Sequence, residues 1–245
     1  MKILVCISHV PDTTSRINFT DNNTKFDTTG VQFIIGPYDD YALARAIELK
    51  EASGATVHAI NVGLADTEPT LRKALAIGAD EAIRVNAEPT DSFFVASQIA
   101  SQAKQGDYDL ILMGRESIDY NSGVVHGIVG ELLGLPSVSP VMKLDIDGNK
   151  AKLAREIEGG KEHLEVSLPF VAGCQEPIAE WKIPNMRGIM SARTKPLKVV
   201  EAVAADGGIK LSKFELPPPK GAVKMIAADN VGELVTLLKN EAKVL

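Results

Sequence analysis

The stretch LILMGRESIDYNSGVVHG, residues 110–127, holds the residue types best suited to chemistry in this chain. An apolar run breaks at Gly114 into a polar loop, and a helix is predicted to start near Ser122. Gly114 allows main chain to approach a ligand closely. Ser122 and Gly123 fall where the first turn of that helix would offer unpaired N–H groups to a phosphate. A second loop, Gly36-Pro37-Tyr38, follows the apolar VQFII, and the end of the first apolar run, near Cys6, supplies a pocket floor. These are features an adenine nucleotide needs, although the loop is neither G-x-x-x-x-G-K nor G-x-G-x-x-G. The alternative is a tight turn and a capped helix with no ligand.

Catalysis has less support than binding. No lysine is placed for a phosphate and no carboxylate pair for metals. His9, His58, His126 and His163 lack metal-ligand spacing, and His9 and His58, in strand-like runs, read as core-edge histidines. No serine sits in a G-x-S-x-G elbow and no Cys–His pair is legible.

The elements that must position this loop alternate up to about Pro136. KILVCI, ATVHAINV, EAIRV and YDLILMG are short, apolar and β-rich, as strands buried on both faces should be. Between them lie helical windows. In DDYALARAIELKEASG, Leu43, Ala46 and Ile47 share a face and Gly54 is the stop; in DTEPTLRKALAIG, Pro69 suits the first turn and Gly78 closes it. TDSFFVASQIASQAKQG is capped by Asp91 or Thr90 and stopped by Gly106. Strand–helix alternation implies an α/β, doubly wound, mainly parallel sheet.

After Pro136, apolar and polar residues alternate, with turn signals at Asp147-Gly148-Asn149 and Glu158-Gly159-Gly160. This predicts an antiparallel meander of about three strands over about 137–173. Residues 174–195 read as irregular; ELPPPKG then favours an extended spacer. The chain closes on a helix, with Asn230 and Glu233 as a capping box and Val231, Leu234, Val235 and Leu238 as one apolar face. That face either clasps another polypeptide or packs back onto its own sheet. The predicted division is an α/β domain over 1–173 and a recognition loop with a C-terminal arm over 174–245.

Length and composition allow one large domain with an appendage, or two small domains. A net charge of −6 argues against a nucleic-acid partner, because no basic excess exists to release counterions. Cys6 and Cys174 lie in apolar runs and read as buried free thiols in a reducing compartment. MKILVCISHVPD is too short to span a membrane and lacks a small-residue cleavage site, so it is predicted to be a first buried strand of a cytoplasmic protein.

Six pieces in order resemble the beta subunit of an electron-transfer flavoprotein: KILVCISHVPD, GPYDDYALARAIELKE, LRKALAIGADEAIRV, DLILMGRESIDYNS, REIEGGKEHLEVSLPFVAGC and IPNMRGIMSA. The fifth is similar to the family signature in Arg155, Glu158, Gly159, Gly160, Glu162 and Pro169, while Ala172 is more often a larger aliphatic. The resemblance implies a heterodimer whose alpha subunit carries most of the FAD, with this chain bracing it, binding one structural AMP and having no catalytic residues. It implies electrons taken from flavin dehydrogenases, such as the acyl-CoA dehydrogenases of fatty acid oxidation, and passed to a downstream oxidoreductase. Carried over by position, the AMP pocket involves Cys6, Gly36, Pro37, Tyr38, Asp39, Val62 and the loop Gly114, Arg115, Glu116, Ser117, Ile118, Asp119, Tyr120, Asn121, Ser122, Gly123, Val124 and Val125. Tyr38 and Thr13 lie toward the flavin. Ile183, with Pro184, Asn185 and Met186, occupies the place of the family's partner-recognition loop, Ile183 as an aliphatic anchor.

Two positions depart from the family. Its loop ends in Asn-Gln-Thr in AMP carriers, or in Thr-Ala-Gln-Val-Gly in electron-bifurcating relatives with a second FAD. Here it reads Ser122-Gly123-Val124-Val125-His126-Gly127, and Gly36 stands where the family has asparagine. Both changes remove side-chain donors and keep main-chain donors. A second FAD in the AMP site and a stand-alone adenine-nucleotide sensor are the alternative readings.

Overall fold

The computed structural model describes residues 1–245. Thirteen strands form in chain order: β1 Lys2–Cys6, β2 His9–Pro11, β3 Phe19–Thr20, β4 Lys25–Phe26, β5 Phe33–Ile35, β6 Thr56–Val62, β7 Glu81–Asn86, β8 Leu110–Gly114, β9 Ser137–Asp147, β10 Lys150–Ile157, β11 Gly160–Ser167, β12 Phe170–Cys174 and β13 Leu197–Glu201. The helices are α1 Pro37–Ser53, α2 Glu68–Ile77, α3 Ser92–Gly106, α4 Val125–Leu133, α5 Met186–Ala192 and α6 Val231–Asn240.

Nine strands make one sheet in the order β11-β10-β9-β12-β8-β1-β6-β7-β13. The pairs from β9 across to β13 are parallel, and β9-β10-β11 is the antiparallel meander expected from the two turn signals, but it ends at Ser167: Phe170–Cys174, mostly within the predicted meander, is the parallel strand β12, seated between β9 and β8. The fold class read from the pattern is the one observed. Successive residues of the buried strands point to opposite faces. Ile3, Val5, Leu110 and Leu112 meet Leu43, Ile47, Leu71 and Leu75 of α1 and α2, whereas Leu4, Ile60 and Ile111 meet Ile99 and Val129 of α3 and α4.

Helix boundaries differ from expectation at three places. The helix after β8 begins at Val125 instead of Ser122, because Asn121 and Gly123 take left-handed φ angles of 50° and 58° that a helix start excludes. α3 runs through Gly106 and is stopped by Asp107 at φ 50°; Asp91, not Thr90, is its cap, accepting the Phe94 N–H at 2.7 Å. Residues 174–195, read as irregular, contain α5, and β13 adds to the parallel edge beside β7. The sheet therefore takes a strand from beyond residue 173.

From Ala202 the chain leaves the sheet but stays tied to it. The Gln98 side-chain amide donates to the Val203 carbonyl at 2.9 Å and accepts the Val203 N–H at 2.8 Å. Ile209 N–H donates to Asp91 Oδ2 at 3.1 Å. Phe214 N–H donates to the Asn23 carbonyl at 2.7 Å, and its ring stacks on Phe19 of the β3–β4 hairpin, 4.6 Å between centroids. α6 is capped as predicted, Asn230 Oδ1 accepting the Glu233 N–H at 3.4 Å and Asn230 Nδ2 donating to Glu233 Oε2 at 2.7 Å. None of its residues is buried; Val231, Leu234 and Val235 are exposed, so the helix does not pack back onto its own sheet.

Candidate functional site

The C-terminal edge of a parallel sheet is where an α/β protein gathers loops for a ligand. Here Cys6, Val62 and Gly114 end the adjoining strands β1, β6 and β8, and Gly36–Asp39 begins α1 at the same edge. Asp39 ties these pieces together. Its Oδ1 accepts the Gly114 N–H at 2.7 Å, and its Oδ2 accepts the Ser8 N–H at 2.8 Å and pairs with the Ser8 hydroxyl. One buried carboxylate thus joins the chain after β1, the start of α1 and the end of β8.

This latch explains two glycines. A Cβ at Gly114 would lie 2.7 Å from both Asp39 Oδ1 and Tyr38 Cβ. At Gly36, the position departing from the family's asparagine, a Cβ would run into the Ser8 hydroxyl and Asp39 Oδ2. Burial pushes the Asp39 carboxyl up from 3.8 to about 6, against the lowering effect of the Ser8 and Gly114 donors. Both Asp39 oxygens are therefore engaged within the chain, and its part in a pocket is to position main chain.

Past Gly114, Arg115 sits 4.7 Å from the Tyr38 ring centroid. It donates from Nη1 to Gln175 Oε1 at 2.9 Å and from Nη2 to Glu116 Oε1 at 3.0 Å; Gln175 passes the link to Glu156 Oε2 at 2.6 Å. Arg115 Nε is buried without a partner. The Ser117 hydroxyl and the Tyr120 N–H both donate to Asp119 Oδ1, closing the loop on itself, and Tyr120 is exposed. The Ser122 hydroxyl meets Ser92 at 3.0 Å.

The main-chain N–H groups of Ser122, Gly123, Val124, Val125, His126 and Gly127 donate to no acceptor within the chain, and the start of α4 has no side-chain cap. A run of unpaired amides at a helix N-terminus, beside a strand end, favours an anion. His126 is half-buried within this run, and burial lowers its pKa. Ile118, Asn121 and Val124 belong to the same loop.

Sequence reasoning missed Ser8, Gln175, Glu156 and Asn61. Asn61 precedes Val62, donates from Nδ2 to the Ile7 carbonyl at 2.8 Å, and keeps its Oδ1 buried without a partner. A polar residue inside the apolar run ATVHAINV was the available signal; Ser8 and Gln175 gave none, because their partners lie 31 and 60 residues away.

The segment around Ile183 lies apart from this loop. Ile183 and Met186 are 75% and 74% exposed, with Trp181, Ile189 and Met190 exposed beside them. Pro184 is half-buried, and Asn185 is the N-cap of α5, its Oδ1 accepting the Gly188 N–H at 2.8 Å.

A model of the electron transfer flavoprotein domain matches residues 23–205. The electron transfer flavoprotein subunit beta of Bacillus subtilis is 36% identical over 259 residues, spanning the whole of both chains. The chain belongs to the electron transfer flavoprotein beta-subunit family. The subunit beta of Syntrophomonas wolfei is also 36% identical, over 249 residues that cover all of this chain and 98% of that one. The human subunit beta is 28% identical over 252 residues, covering 100% and 99%. This beta-family chain is thus a component of an electron-transferring flavoprotein, and a beta subunit implies an alpha subunit with which it forms a heterodimer. None of its helices is long and apolar enough to cross a membrane.

Proposed function

We propose that this chain is the bracing half of a heterodimeric electron carrier. It binds one structural AMP at the end of β8, while the alpha subunit holds most of the FAD. The observation that carries the reading is the run of unpartnered amides from Ser122 to Gly127, in a loop set by the Asp39 latch. Main-chain donors suit one phosphate, and they remain where the family's side-chain donors are gone. Cys6, Val62 and Gly36–Tyr38 form the rest of the pocket, with Arg115 through Val125 as its outer wall. Tyr38 and Thr13 face the flavin, which supplies all the redox chemistry. This chain's residues exclude water and hold the flavin's orientation, and none acts as acid, base or nucleophile.

Nucleotide released by acid from the purified heterodimer should run as one AMP per flavin on chromatography. Two flavins with no AMP would overturn the AMP reading and favour a bifurcating relative.

Residues 174–245 serve partners: α6 and its spacer clasp the alpha subunit, and the Ile183 segment meets flavin dehydrogenases such as acyl-CoA dehydrogenases, from which electrons pass on to a downstream oxidoreductase. A small exposed apolar patch, Ile183 with Met186 and Met190, suits a brief contact. Ile183→Ala should slow electron exchange with an acyl-CoA dehydrogenase about tenfold and leave flavin content intact. Unchanged exchange would remove the anchor. Both cysteines are buried and unpaired, which supports a reducing compartment, the cytoplasm.

A further inference from the structure

The exposed apolar surface around Ile183 is built on a rigid mount. α5 lies against α2, and a cation from each side closes the end of the other helix. Arg72 of α2 donates from Nη1 to the carbonyls of Ala192 and Lys195, both at 2.8 Å. Lys195 Nζ donates in return to the carbonyls of Leu75 at 2.9 Å and Ala79 at 2.7 Å, at the C-terminal end of α2. Such carbonyls have no intrahelical partner and carry the negative end of the helix dipole, so cations satisfy them best. Between them, Gly188 faces the Ala76 carbonyl so closely that a Cβ would overlap its oxygen. Ala192 is buried in the main core, while Met186, Ile189 and Met190 are exposed. Lys182 pairs with Glu51 at 3.1 Å, pinning the segment just before Ile183. α2 runs back from the end of β6 to the start of β7, so this mount sits at the opposite edge of the sheet from the Asp39 latch.

We infer that Arg72 and Lys195 are positioning residues for electron exchange: their reciprocal clamp between α2 and α5 fixes the orientation in which Ile183, Met186 and Met190 meet a dehydrogenase. The inference rests on the proposed anchor role of Ile183 and adds what holds the anchor in place. A surface ordered beforehand spares the encounter the entropy of fixing it. Loss of the clamp therefore weakens docking and leaves the electron-transfer step itself unaltered.

The test uses the heterodimer with an acyl-CoA dehydrogenase as electron donor. Arg72→Ala is expected to raise KM for the heterodimer about tenfold, a loss of about 1.4 kcal/mol in docking, with kcat within about twofold of wild type. Arg72→Lys should recover part of the loss, since one ammonium replaces a guanidinium that holds two carbonyls. A role confined to stability would leave KM of the folded protein at the wild-type value. Gly188→Ala, which lifts α5 from α2 without touching either cation, should raise KM in the same way if Arg72→Ala does not fold. Unchanged KM in Arg72→Ala and Gly188→Ala beside a raised KM in Ile183→Ala overturns the clamp and leaves the anchor standing. Unchanged KM in all three overturns the anchor and the clamp together.

Discussion

Asp39→Ala is expected to lower the stability of the heterodimer by about 4 kcal/mol at pH 5 and to empty it of AMP. The substitution leaves two main-chain donors, the half-buried Ser8 N–H and the buried Gly114 N–H, without their acceptor, at roughly 1–3 kcal/mol each. It also frees the end of β8, from which the loop of the proposed AMP site springs. The magnitude should depend on pH with a definite sign. Burial raises the Asp39 pKa from 3.8 to about 6, so between these values the folded chain keeps a proton that the unfolded chain has released. The stability this contributes is complete below pH 3.8 and is lost as pH rises through about 6. Alanine has no such dependence, so the gap between wild type and variant should narrow by roughly 1–2 kcal/mol from pH 5 to pH 7.5. Thermal melts at the two pH values read this directly, with a drop of about 10 °C at the lower one. A gap that widens with pH would show that the carboxylate, not the acid, is the favoured form in the latch.

Removing residues 217–245 should weaken association with the alpha subunit by roughly a hundredfold or more. Val231, Leu234 and Val235 are exposed on a capped helix none of whose residues is buried. Burying such side chains against a partner stabilises a complex by ~1.5–3 kcal/mol each, less the ordering of the arm. The truncated chain keeps every strand and the ties at Gln98, Asp91 and Phe19, so its fold should survive. Sedimentation or light scattering of the mixed subunits measures the loss. Equal affinity for full-length and truncated chains would remove the clasp.

The parallel core was legible because its signal is local. Runs such as YDLILMG are too short for helices and too apolar for exposed strands, and Gly54, Gly78 and Pro69 punctuate the helices between them. α5 and β13 escaped because neither stands on local pattern. MRGIMSA is seven residues with small side chains where it touches α2, and its end is held by Arg72, 120 residues earlier. β13 gains its order as a parallel edge strand, from a partner far back in the chain. The candidate site was half legible. Glycines and polar residues marked the loop, but the latch made by Asp39 left no local signal, because its bonds to Ser8 and Gly114 span 31 and 75 positions. The helix after β8 begins three residues late for the same kind of reason: two left-handed residues, Asn121 and Gly123, stretch the loop before α4.

The ties that hold the arm between Val203 and Phe214 turn its remainder into a leash. Beyond Phe214 the extended, proline-bearing stretch spans roughly 50 Å at most before α6 begins, at about 3.1 Å per residue. Once an alpha subunit touches any other part of this chain, α6 searches only that small volume, where its effective concentration is on the order of millimolar. Assembly should then proceed as one bimolecular meeting followed by a rapid unimolecular closure. Lengthening the leash with inserted residues would slow dissociation less and less effectively, following the dilution of the helix within its own sphere.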